Sequence, residues 1–339
     1  MLMWRPYVLK HYLKMKKNHP MKTTPFTLAR LLLASGLILA ASNSLACSSC
    51  GCTLSSDWDS QGYAATPGLR FDLRYDYLDQ AQLRSGAGKV ARSSLELPNE
   101  REVEQDTRNQ YTTLGFDYSA SQDWGVNLQL PYIERSHSSI APGDTTPSSS
   151  KTGNLGDVRI LARYQGWSDK LGLQFGLKLP TGSFHDSFSA GPQRGMPLDR
   201  GLQAGSGTTD LLLGLYHFDA LSQNWDYFAQ GLLQQPLAAR DGYQPGTSLN
   251  LNAGLRYLAS ESVIPQLQLN AKTSSRDRGA NADSDNSGGS VLYLSPGVTI
   301  SVNRKIKLFG FLQAPLYQNV NGLQLAPRYT FSMGVRYAL

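Results

Sequence analysis

The sequence predicts an all-β protein that forms a transmembrane, antiparallel, up-and-down β-barrel of about twelve strands. In residues 69–78, LRFDLRYDYL, apolar and charged side chains alternate, so a strand here has one apolar face and one charged face. Similar segments recur along the chain, and most approach the roughly ten residues that a tilted strand needs to cross a bilayer. Short and long connections alternate between them, which favours a membrane barrel over a soluble β-sandwich.

The chain begins with a segment that we expect to be a signal peptide, residues 1–46. From Met21 it has a basic start, an apolar run over residues 31–41 that is too short to span a bilayer, and the small-residue exit Ser44-Leu45-Ala46. We interpret Met21 as the functional start. The segment holds seven basic residues and no acids, so of the 32 basic and 26 acidic residues, 25 and 26 remain in the mature chain. The basic excess therefore belongs to targeting, and nucleic acid is not an expected partner.

Residues 47–68 are predicted to be a periplasmic tail that carries all three cysteines, Cys47, Cys50 and Cys52. In an oxidising compartment a Cys47–Cys50 disulfide is one interpretation, which leaves Cys52 unpaired. The C-x-x-C-x-C spacing is also typical of thiolate sites for soft metals such as Cu(I) or Zn(II). Lipidation of Cys47 is a third interpretation. No other cofactor is predicted, and a periplasmic thiol or metal protein is the partner that such a tail would meet.

Residues 69–339 are predicted to be the barrel. The expected strands are residues 69–78, 109–119, 124–135, 156–165, 171–179, 208–218, 224–234, 248–258, 263–272, 290–302, 305–313 and 328–339. The expected long connections are residues 79–108, 136–155, 180–207, 235–247, 273–289 and 314–327. Such a barrel would lie in the outer membrane of a Gram-negative bacterium and be inserted by the barrel assembly machinery. The last strand, RYTFSMGVRYAL, alternates as expected, although such chains usually finish on an aromatic residue and this one ends on Leu339.

Three stretches carry a family resemblance: LGDVRILARYQG at residues 155–166, LGLQFGLKLPTG at residues 171–182, and LQAGSGTTDLLLGLYHF at residues 202–218. Their order resembles the outer-membrane proteins grouped under the meta-pathway of phenol degradation, over residues 111–339. The resemblance implies a transporter barrel with hydrophobic aromatic cargo. Its more specific pieces, residues 178–182 and 205–210, are rich in Gly and Pro, so we interpret them as structural signatures of strand ends.

The faces opposite the apolar ones should line the lumen, because an Arg or Lys on the lipid side at mid-depth would cost about 2–4 kcal/mol. The predicted lumen-facing bases are Arg70, Arg74, Arg159, Arg163, Lys178, Arg256, Lys272, Arg328 and Arg336. The predicted lumen-facing acids are Asp72, Asp76, Asp117, Asp157 and Asp210. One interpretation is a salt-bridge network that fills a narrow barrel. The other is a water-filled pore whose surplus of bases favours anions.

No enzyme is predicted. The mature chain has three histidines, His137, His185 and His217, and none stands in a recognisable catalytic motif. We expect His137 and His185 to be exposed loop residues. Asp283–Gly288 begins like a calcium-binding loop, but Leu294 stands where the twelfth-position Glu would be.

The sequence therefore predicts an outer-membrane barrel that passes small solutes, anionic or aromatic. One alternative is a closed structural barrel whose cysteine tail serves a periplasmic redox or soft-metal partner. A barrel hydrolase is the other alternative, and it would need an essential His137 or His185.

Overall fold

The computed structural model describes residues 67–339, so the predicted signal peptide and the three cysteines lie outside the described residues. Within residues 67–339 there are short 3-10 helices at Arg92–Ser94 and Arg200–Leu202 and thirteen β-strands. The strands are β1 Gly68–Gly86, β2 Gly88–Lys89, β3 Val103–Ser119, β4 Trp124–Ile140, β5 Ser148–Leu155, β6 Val158–Tyr164, β7 Leu171–Leu179, β8 Asp210–Ala220, β9 Trp225–Pro236, β10 Ser248–Tyr257, β11 Val263–Ser274, β12 Gly289–Ser301 and β13 Ile306–Ala338. None of the helices described between residues 67 and 339 has the length and apolar character to cross a membrane.

The strands form one antiparallel sheet that closes on itself. From β6 to β13 each strand pairs with the next, and β1, β3, β4 and β6 pair in that order. The ring closes between β1 and β13, where Arg70 lies opposite Ala338 and Phe71 opposite Tyr337. Eleven strands form the ring. The two-residue strand β2 pairs with the end of β1, and β5 and β6 pair with successive parts of β4. Closure leaves no edge of the ring unpaired, as a sheet surrounded by lipid requires. The predicted fold class is confirmed.

Strand β13 contains two crossing segments joined by a tight turn. Its first part, up to Val320, pairs with β12, and its second part pairs with β1. Gly322, with φ of 54°, lies at the reversal, a conformation that favours glycine. The Gln318 side-chain amide donates to the Pro327 carbonyl at 2.7 Å, so the two arms lie side by side. The prediction of a loop over residues 314–327 is therefore wrong, while the prediction of about twelve crossing segments agrees with this folded-back strand.

An apolar belt surrounds the barrel. We define it by the exposed side chains Leu73, Leu114, Val126, Phe175, Leu213, Leu233, Leu251, Leu267, Ile300, Leu308 and Phe331. Aromatic pairs lie near the short turns: Trp124 with Tyr164 at 4.6 Å between ring centroids, and Trp225 with Tyr257 at 4.9 Å. A belt edged by amphipathic rings is the surface that a bilayer covers.

Several strands continue beyond the belt at the end that carries the long connections. On β4 the outward side chains change from apolar to polar after Tyr132, with exposed Glu134 next. On β3 the exposed Arg108 faces outward in the same region. Leu83, Val103, Ile140 and Leu325 form a small buried cluster between these extensions. β1, β3 and β4 are consequently longer than predicted, because period-two pairing persists above the bilayer.

Candidate functional site

The barrel encloses a cavity of about 360 Å³. Most of the residues that line it are polar or charged, and they come from strands around the ring and from residues 200–206 of the β7–β8 connection. We call that connection, residues 180–209, the inner loop. Because the inner loop contributes to the cavity wall, it lies inside the barrel mouth rather than above it.

A three-residue ion-pair cluster, which we call the lysine clamp, holds the inner loop to the wall. Lys178 Nζ lies 2.9 Å from Asp157 Oδ2 and 3.1 Å from Asp210 Oδ2, and all three side chains are buried. The Gly182 and Ser206 backbone N–H groups donate to Asp157 at 3.0 and 2.9 Å. The motifs that carry the family resemblance therefore meet at one point.

Three glycines allow the backbones to approach closely beside the lysine clamp. A Cβ at Gly182 would lie 2.7 Å from Gly205 Cα and 2.8 Å from the Gly156 carbonyl carbon. Larger residues there would push the inner loop off the wall. This contact gives a physical reason for Gly in residues 178–182 and 205–210.

The interior near the short turns is filled by a second cluster. Asp117 has no exposed surface and accepts hydrogen bonds from Arg70 at 2.7 Å and from Arg163. Both arginines also donate to Ser119 Oγ. Two guanidinium groups thus share one carboxylate, and together they narrow the lumen.

The remaining predicted lumen charges are mostly paired. Arg336 contacts Asp72 at 2.8 Å, Arg74 contacts Asp76 at 2.8 Å, and Arg256 contacts Asp226 at 2.6 Å. Lys272 is buried and lines the cavity.

Arg328 departs from the prediction. Its side chain is 56% exposed and pairs with Asp79, next to a register shift between β1 and β13. The register shift changes the face of the sheet to which the Arg328 side chain points, so strict alternation fails at this residue.

Three arginines on the cavity wall have no acidic partner. Within residues 67–339, no carboxylate lies within 4.0 Å of Arg135, Arg159 or Arg200. Arg159 donates to Gln234, and Arg200 lies 4.3 Å over the Phe184 ring. Neither Arg135 nor Arg200 is among the lumen-facing residues that the sequence predicts. Period-two alternation along β4 would have found Arg135, whereas no local pattern indicates that the inner loop carries Arg200 inward.

Opposite the charged wall, amide side chains on β7, β9, β10 and β11 and a serine hydroxyl on β12 form a row, which we call the amide row. Gln230 donates to Gln174 at 2.7 Å, Asn270 donates to Asn252 at 2.9 Å, and Ser295 donates to Asn270 at 2.6 Å. Asn252 completes the row by donating to Gln230 at 3.2 Å. These groups satisfy each other, which stabilises the wall without adding charge.

Buried aromatic side chains lie against glycines of the neighbouring strands. A Cβ at Gly172 would clash with the Tyr216 ring, and one at Gly297 would clash with the Phe311 ring. A Cβ at Gly254 would likewise clash with the Phe228 ring. Because these glycines have no side chain, the three aromatic rings can lie against the barrel wall.

An acidic group lies at the inner loop, above the belt. Glu102, Glu104, Asp199 and Asp283 line one small cavity. Burial, followed by the charge of Asp199, raises the pKa of Glu102 to about 7. Burial and the charge of Glu102 raise the pKa of Glu104 to about 8, although the Leu325 N–H donates to it at 2.8 Å.

The histidines are separated by the fold. The prediction that His137 is an exposed loop residue is wrong, because it lies in β4 with only 2% of its surface exposed. His185 is exposed in the inner loop beside Phe184, and His217 is half-buried in β8. Among the described residues, no carboxylate hydrogen-bonds to a histidine, and no group of three His, Asp or Glu side chains is arranged to hold a metal ion.

Comparison with known proteins identifies the fold. No family model matches the chain, and no curated protein matches its sequence. An outer-membrane channel from Pseudomonas putida F1 superposes with a TM-score of 0.63 at 13% identity, over 84% of this chain and all of that one. The chain shares the fold of an outer-membrane channel.

Two other barrels superpose less closely. The β domain of the Bordetella autotransporter BrkA gives a TM-score of 0.48 at 15% identity, over 80% of this chain and all of that one. A mutant of the TodX monoaromatic hydrocarbon channel gives 0.48 at 11% identity, over 82% of this chain and 92% of that one. Neither adds to the fold assignment, and the resemblance to the phenol-degradation family stays a prediction.

Replacing Lys178 by Met should release the inner loop. The change leaves Asp157 and Asp210 buried without a counter-charge, which costs about 3–5 kcal/mol. We expect a lower free energy of unfolding in urea and faster tryptic cleavage after Arg194. The control is K170M, which removes the 2.7 Å ion pair between Lys170 and Asp219. Because the Lys170 side chain is 55% exposed, losing this pair should lower the free energy of unfolding by only about 0.2–1 kcal/mol. Equal effects of both variants would contradict the lysine clamp.

The acidic group predicts a pH dependence of stability. A carboxyl whose pKa is raised from 4.5 to about 8 keeps its proton in the folded state after the unfolded chain has lost it. The folded state therefore binds more protons between these values, and stability should fall as pH rises through them. Melting temperatures measured from pH 5 to 9 should show the decline in the wild type and a shallower one in E104Q. An unchanged slope in E104Q would be inconsistent with this assignment.

Proposed function

We propose that the chain is an outer-membrane channel that passes small solutes and prefers anions. The ring closes without free edges, its outer surface is an apolar belt, and its interior holds a polar cavity. Insertion would depend on the barrel assembly machinery that such chains use. The cysteine tail would lie on the periplasmic side, where a thiol or metal partner could meet it.

The anion preference rests on the charge balance of the cavity. Six basic residues line it: Arg74, Arg135, Arg159, Lys178, Arg200 and Lys272. Four acidic residues line it: Asp72, Asp76, Asp157 and Asp210. Each acid has an ion-pair partner, whereas three of the arginines have none. A low-dielectric wall strengthens the resulting positive potential, which attracts small anions.

A closed barrel is the second candidate. The buried Asp117 cluster occupies the interior near the short turns, and the amide row lies at mid-height of the strands, where Gln230 and Asn252 line the cavity. Function would then belong to the cysteine tail or to the long connections. Ion flow through the purified barrel separates the two candidates.

The test is single-channel recording of the refolded mature chain in a planar bilayer under a KCl gradient. We expect conductance steps whose reversal potential favours chloride. R159Q removes a half-buried cation from the cavity and should move the reversal potential toward zero. The control, R108Q, alters an arginine whose side chain is 57% exposed on the outside of the barrel.

Absence of steps from a correctly inserted barrel would favour the closed structure. Steps with a cation-favouring reversal potential would contradict the anion preference while leaving the channel intact.

A further inference from the structure

One patch of the inner wall holds polar atoms that the protein leaves without partners. Arg135 Nη1, His137 Nε2 and Ser150 Oγ are all buried and make no hydrogen bond. Arg135, His137 and Ser150 expose 4%, 2% and 5% of their surfaces, respectively. Buried polar groups in folded proteins are nearly always bonded, so three exceptions in one place require an explanation.

The three side chains share one face of the wall. Arg135 and His137 are two residues apart on β4, so they point the same way about 7 Å apart along the strand. Ser150 on β5 lies directly opposite His137. The polar atoms therefore face the same space.

The chemistry of the patch is that of hydrogen-bond donors around a positive charge. Arg135 uses its other nitrogens on neutral groups, Asn109 and Tyr111. A buried guanidinium without a counter-charge costs several kcal/mol, which a bound anion would offset. His137 Nδ1 lies 2.8 Å from Thr107 Oγ1, so an imidazole that accepts the Thr107 proton presents N–H at Nε2.

The ring of His137 is neutral at physiological pH. Burial, and then the charge of Arg135, lower its pKa to about 4. The neutral ring needs no counter-ion of its own, and the guanidinium supplies the charge. Thus one fixed cation and two neutral donors are available together.

We propose that Arg135, His137 and Ser150 form a binding site for a small oxyanion, the carboxylate or phosphate group of a solute inside the barrel. Arg135 lines the 360 Å³ cavity, so a solute in that cavity reaches the site from that side. The inner loop forms the opposite side, where the Phe188 ring lies 6.1 Å from the imidazole. Admission of an anion requires this ring to move. The site goes beyond the proposed channel, since it would exist in a closed barrel as well.

The test is isothermal titration calorimetry of the refolded mature chain in detergent, with inorganic phosphate and acetate as separate probes. Saturable binding of either probe is expected, and the relative affinity distinguishes phosphate from carboxylate as the preferred group. R135Q should weaken binding about tenfold or more, since it removes a charge-assisted hydrogen bond. S150A should weaken binding less. F188A should leave binding intact or strengthen it, because the pocket opens.

R108Q serves as the matched control, because Arg108 is an exposed arginine on the neighbouring β3. Heat-modified migration on gels verifies folding of every variant, and S150A keeps the test decisive if R135Q does not fold. Saturable binding that R135Q and S150A both leave unchanged would overturn the proposal, and so would absence of binding in the wild type. Because conductance is measured separately, loss of this site would leave the channel proposal standing.

Discussion

The closing contact between β1 and β13 is the constraint on which the rest of the structure depends. A sheet in lipid cannot leave backbone N–H and C=O groups unpaired, so the ring must close. Closure divides every strand into one face toward lipid and one toward the interior. The alternation in residues 69–78 follows from this division, as does the apolar belt.

The same constraint brings many charges into a narrow interior. Most of them are compensated there: the lysine clamp near the barrel mouth, and Asp117 between two arginines near the short turns. Among the described residues that line the 360 Å³ cavity, those without an oppositely charged partner within 4.0 Å include Arg135, Arg159 and Arg200, whereas each of the four acids has one. A buried charge is costly unless something pairs with it, so the positions of these arginines indicate where an anion would be favoured.

Alternation predicted the fold class and the bounds of seven strands, β6 to β12, within two residues at each end, because a lipid face demands apolar side chains. It failed where other forces act. At residues 314–327 both arms of a hairpin pair above the belt, so their polar composition resembled a loop. A register shift changed the environment of Arg328. The lysine clamp joins residues 157, 178 and 210, and only the folded inner loop brings them together. The roles of the cysteines stay predictions.

The most direct test of the central account is a spin-label scan along β10, Ser248–Tyr257, in a variant whose three cysteines are replaced by serine. Labels at Leu251 and Leu255 should be reached by oxygen dissolved in the bilayer. Labels at Asn250 and Asn252 should be shielded from it, which gives a period of two along the strand. Equal accessibility at neighbouring positions would contradict a barrel with lipid outside and a polar interior.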